Sequence, residues 1–122
     1  MLILLGGCGE GRTEPGAEAL VPRLVGLTPR LDPPAGESGI VIELEVRSQA
    51  GVPQRNVLVS WEVTRGAVLS PALTDADGEL QALWVFTRVE DSVGTAARVR
   101  ACARREPSDP CAHSTTADVE VP

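Results

Sequence analysis

Lysine and tyrosine are absent from this 122-residue chain, phenylalanine and histidine occur once each, and tryptophan occurs twice. Every one of the 11 basic residues is therefore arginine, and they are outnumbered by 17 acidic residues, for a formal net charge of −6. A chain of that sign repels a phosphate backbone, and it has no basic stripe with interleaved aromatics to override the repulsion, so nucleic acid is excluded as a partner. A lone His113 leaves little material for acid–base work. No Gly-x-Ser-x-Gly elbow accompanies it, so the chain reads as a non-enzyme. Sequence signs of a cofactor are missing as well. Gly7, Gly9 and Gly11 follow an apolar run as the glycines of a dinucleotide turn do, but Pro15 and Gly16 stand where the phosphate-binding helix would have to begin.

Aromatics at 2% inside a hydrophobic content of 43% mean that Val, Leu, Ile and Ala must fill any core. The length suits one ordinary domain, large enough to need no metal to fold. Twelve glycines and ten prolines imply frequent turns. Between the turns the apolar period is two, which belongs to strands rather than helices. Ile40, Ile42, Leu44 and Val46 alternate with Val41, Glu43, Glu45 and Arg47. Val57, Val59, Trp61 and Val63 alternate with Leu58, Ser60, Glu62 and Thr64. Residues 80–87 are apolar on both faces, which leaves their register open. Ala97, Val99, Ala101 and Ala103 face inward while Arg98, Arg100 and Cys102 face outward. Ala117, Val119 and Val121 give a last strand, and residues 24–28 an edge strand closed by Pro29, Pro33 and Pro34. The expected fold is all-β: an immunoglobulin-like, two-sheet antiparallel sandwich over residues 20–122. Trp61 and Trp84, in phase with the aliphatics, are expected in its core. The competing use of exposed indoles, a carbohydrate-stacking platform, would make the chain a soluble glycan- or ligand-binding module.

The N-terminus resembles a bacterial lipoprotein signal. Met1 to Leu5 form an apolar run, and Leu5, Gly6, Gly7 and Cys8 match the small-residue box before a lipidated cysteine. The resemblance implies that Cys8 carries the acyl chains and that the domain partners a membrane through them. Secretory leaders begin with a charged segment and a longer apolar stretch, so the true start is expected upstream of Met1. Residues 9–18, rich in Gly, Glu and Pro, read as a flexible stalk, and residues 1–19 as signal plus stalk.

Cys102 and Cys111 flank a loop of charged residues and prolines between two apolar strands, which predicts a disulfide across a hairpin. With Cys8 assigned to lipid, three cysteines resolve into one pair, and both assignments point to an oxidising compartment. Zinc on Cys102, Cys111 and His113 would lack a fourth ligand. Asp75 and Asp77 before Gly78 imitate the start of a calcium loop, but the twelfth position, where a bidentate Glu is needed, is Phe86; the turn-forming reading is preferred, and no metal is expected.

Residues 51–101 resemble the bacterial immunoglobulin-like domains of the invasin and intimin type. The shared features are Gly51 and Pro53 at a turn, the Val57, Val59, Trp61, Val63 strand ended by Gly66, the Thr74-Asp75-Ala76-Asp77-Gly78 turn, and Trp84, Gly94, Val99 and Ala101. Family members carry a glycine shortly after the proline, where this chain has Gln54, Arg55 and Asn56; asparagine tolerates the left-handed conformation such a turn needs. The resemblance implies a module of the bacterial cell envelope, facing the periplasm or the exterior, that serves display, spacing or adhesion toward another surface protein or glycan.

Overall fold

The computed structural model describes residues 19–122; Cys8 and the expected signal and stalk before residue 19 lie outside the described residues.

Seven strands follow one another: β1 (Leu20–Pro29), β2 (Glu37–Ser48), β3 (Leu58–Val63), β4 (Ala67–Leu69), β5 (Glu79–Thr87), β6 (Ala96–Arg104) and β7 (His113–Glu120). No helix occurs among the described residues. The strands form two antiparallel sheets, ordered β1-β2-β5-β4 and β3-β6-β7. This is the strand order of a seven-stranded, constant-type immunoglobulin sandwich.

Alternation in the sequence becomes the inside and outside of each sheet. Ile40, Ile42, Leu44 and Val46 of β2 face Leu80, Ala82, Trp84 and Phe86 of β5 within one core, with Val57, Val59, Ala97, Val99, Ala101, Ala103 and Val121 from the other sheet. The ambiguous register of β5 is settled by its two largest side chains. Trp84 and Phe86 are fully enclosed, their rings 4.8 Å apart and tilted, so Leu83 and Val85 take the outer face. An indole needs a partner for its N–H when buried, and Trp84 donates to the Arg65 carbonyl at 2.8 Å.

Three features differ from the expectation. The first strand runs the full length of Leu20–Pro29, because a bulge between Leu24 and Gly26 absorbs the break in alternation. The three-residue β4 has too few residues to show a period. Trp61 packs against the core but stays partly exposed, since β3 is an edge strand and lacks a neighbour to cover its outer side.

One end of the sandwich is laced by hydrogen bonds. Thr74 is buried, and its hydroxyl donates to the Gln54 carbonyl at 2.6 Å while accepting from the Val57 amide at 3.0 Å. Next to it, Gly78 sits at φ 71°, its carbonyl accepting from the Val46 amide. A Cβ at Gly78 would lie 2.5 Å from the Val46 carbonyl oxygen, so only glycine fits this crossing. Asn56 takes φ 58°, the left-handed conformation expected in place of the family's glycine.

Candidate functional site

The cysteines define the first candidate. Cys102 lies in β6 and Cys111 just before β7; they form a disulfide, with Cα atoms 5.6 Å apart, that staples the hairpin. Cys102 occupies the outward phase yet is only 2% exposed, bridged to Cys111. Both sulfurs are spent in the bond and cannot serve as zinc thiolates, so a site on Cys102, Cys111 and His113 does not fit this structure. His113 begins β7, opposite Ala103 in the ladder. Arg100 reaches the same bridge, with its guanidinium 3.3 Å from Cys111 Sγ.

The outer face of β3-β6-β7 is a charge ladder. Arg100 lies directly across from Glu62 and bonds it at 3.0 Å; Arg98 lies across from Asp118 and bonds it at 2.7 Å. Arg104 completes the row by donating to Ser60 Oγ and to the Asp109 carbonyl. Hydrogen bonding from Arg98 holds the Asp118 carboxyl below its usual range and raises the guanidinium in turn. On the opposite sheet, the Arg47 hydrogen bond lowers Glu45, helped by the charge of Arg23 at 3.7 Å. The Arg98–Asp118 and Arg100–Glu62 pairs are exposed and the Arg47–Glu45 pair is half-buried, as ion pairs on the outer faces of a sandwich are.

Asp75, Asp77 and Glu79 place carboxylate oxygens within 4.8 Å of one another, all exposed. Three such oxygens are about half of what calcium takes. Asp75 is already engaged in the turn: its Oδ1 accepts the amides of Asp77 and Glu79, both at 2.9 Å. The turn reading of this segment therefore has a direct structural basis.

The tryptophans separate. Trp84, 0% exposed, cannot stack on a sugar, and that removes the glycan platform from its indole. Trp61 is the accessible one, and its buried indole N–H has no hydrogen-bond partner among the described residues. Periodicity alone put both rings on inward faces; that Trp61 belongs to an edge strand was not readable from it.

At the end opposite the Thr74 clasp, residues 30–36 and 88–95 carry Leu31, 88% exposed, and Val89, 95% exposed. Asp91 anchors the second loop from a buried position, its carboxylate accepting the Thr87 amide at 3.3 Å and lying 4.0 Å from Arg65. Among the described residues no helix is long and apolar enough to cross a membrane. In comparisons with known proteins, no family model, no curated protein and no solved structure matches the chain.

Proposed function

We propose that the chain is a non-catalytic, exported contact or display module, an immunoglobulin-like sandwich tethered to a bacterial membrane by lipid on Cys8. The observation that carries this reading is the Cys102–Cys111 bond. It is the kind of bond that lasts in an oxidising compartment, and it leaves Cys8 as the one cysteine outside the pair. The constant-type strand order and the roles of Thr74, Asp75 and Gly78 in the crossing turn support kinship with the invasin and intimin type of domain. Paired charges on the outer faces of both sheets suit spacing and contact.

The test is expression of the full chain behind its native upstream sequence in a bacterial host, with detergent-phase partitioning and mass of the N-terminal peptide. A diacylglyceryl-modified Cys8 peptide in the detergent phase is expected, and a Cys8→Ser variant should move to the aqueous phase. Equal partitioning of the two proteins would remove the anchor.

A further inference from the structure

The four outer strands of the two sheets are not equally protected. An edge strand offers unpaired backbone groups to other chains, and proteins guard against this with proline, bulges, short length or cover. β1 carries Pro22, Pro29 and a bulge, and it packs against β7, which screens both. β4 is three residues long, with Pro71 just beyond. β3 has neither a proline nor a bulge and is covered only over its first half, and its sequence, Leu58 to Val63, is rich in β-branched and aromatic residues.

Its free groups can be assigned from the ladder. Thr64 donates to Arg98 of β6, so by antiparallel alternation the even-numbered residues of β3 face β6 and the odd-numbered ones face outward. The lower outward positions are taken by the chain itself: Val59 donates to the Ala72 carbonyl, and Thr74 donates to the Val57 carbonyl. After Leu69 the chain has crossed from one sheet to the other, and this crossing covers only the first half of β3. Beyond it, the amides and carbonyls of Trp61 and Val63 have no backbone partner among the described residues. Beside them lie the partly buried side chains of Trp61 and Val63 and the unpartnered indole N–H.

We infer that this half-edge is a strand-addition site for an extended segment of another polypeptide, continuing the line begun by residues 72–74. The ladder fixes the chemistry of that segment. Residues opposite Trp61 and Val63 would turn their side chains to the core side and must be apolar. The residue between them would stand opposite Glu62, in the non-hydrogen-bonded position where side chains come closest; Glu62 bonds Arg100 on its other side but its side chain is still 69% exposed, so a basic residue there can share the carboxylate. A second copy of β3 fails on each of the three antiparallel registers. Pairing Trp61 with Val63 of the copy sets Glu62 against Glu62, pairing Trp61 with Trp61 puts the copy's Val63 where Ala72 already bonds Val59, and pairing Val63 with Val63 sets Trp61 against Arg65, beyond the end of the strand, whose carbonyl already accepts the Trp84 indole. The inference goes beyond membrane tethering and holds with or without lipid on Cys8.

The experiment uses the full chain and the probe acetyl-Thr-Val-Arg-Val-Thr-Val-amide, with residue-resolved amide exchange as the readout. With the peptide at about 1 mM, exchange at Trp61 and Val63 is expected to slow about tenfold or more. The same peptide N-methylated at the two valines flanking arginine should give no protection, and a Glu62→Arg variant should prefer a peptide carrying Glu in place of Arg. Unchanged exchange at Trp61 and Val63, or protection confined to β1 or β7, would overturn the site. Concentration-dependent protection without peptide, with a dimer in sedimentation, would overturn the choice of partner in favour of a second copy.

Discussion

At the scale of single residues, the crossing turn concentrates the most structural consequence in the fewest atoms. Thr74 ties its own segment to the β2–β3 connection through one hydroxyl, and its replacement by valine keeps the shape while stranding the Val57 amide and the Gln54 carbonyl. Loss of a buried partner costs about 1–3 kcal/mol, so Thr74→Val should lower unfolding stability by that amount in urea titration, while Thr74→Ser should recover most of it. Charge acts here too, in the other direction of exposure. Asp118 and Glu45 are both held below the ordinary carboxylate range by arginine hydrogen bonds. A group depressed in the folded state stabilises fully above its unfolded pKa, near 4, and that contribution is lost as pH falls through the folded value. Thermal midpoints should therefore drop on acidification below about pH 4, with a shallower decline in Asp118→Asn and in high salt. An identical decline in the variant would show that the Arg98 pair is inert.

Among the elements, legibility in the sequence follows strand length and burial. β2, β3, β6 and β7 were readable because each presents one face to the core and one to water, which writes a period of two into the residues. β5 has hydrophobic residues on both faces, and the size of Trp84 and Phe86, not the pattern, decides which face goes in. The strand switch from β4 to residues 72–74 left no trace, since three residues and a Ser-Pro step carry no period. The cysteine pair was legible from loop spacing alone, whereas the burial of Cys102 was not, because Cys102 occupies the outward phase of its strand. A bond closing a loop with a separation of 9 residues should stabilise by about 2.5–3 kcal/mol in the chain-entropy model. Reduction, or a Cys102→Ala/Cys111→Ala pair, is thus expected to lower stability by this amount and to unlock amide exchange in residues 105–112 before the rest of β6.

The whole molecule is polarised along its strands. At one end, Thr74, Gln54 and Gly78 tie the β2–β3 and β4–β5 connections together, and Arg105 reaches across to Gln54 Oε1 at 3.3 Å. The disulfide hairpin belongs to the same end. At the other end the chain closes through the Gly94 and Val121 backbone pair, and the intervening loops leave Leu31 and Val89 in solvent. Local opening is cheapest where few buried contacts and long-range bonds hold the backbone. Because lysine is absent, trypsin can cut this protein only after arginine, which makes it a probe of that polarity. Arg88, followed by the 95% exposed Val89, should be the first of the described arginines to be cleaved in the oxidised protein, ahead of Arg55 and Arg105 in the laced end. Reduction should add cleavage after Arg105 without changing the rate after Arg88, since the bridge restrains one end only. Initial cleavage after Arg55 in the oxidised chain would mean that the Thr74 clasp opens more readily than the loop anchored by Asp91, and the assignment of a rigid and a yielding end would have to be reversed.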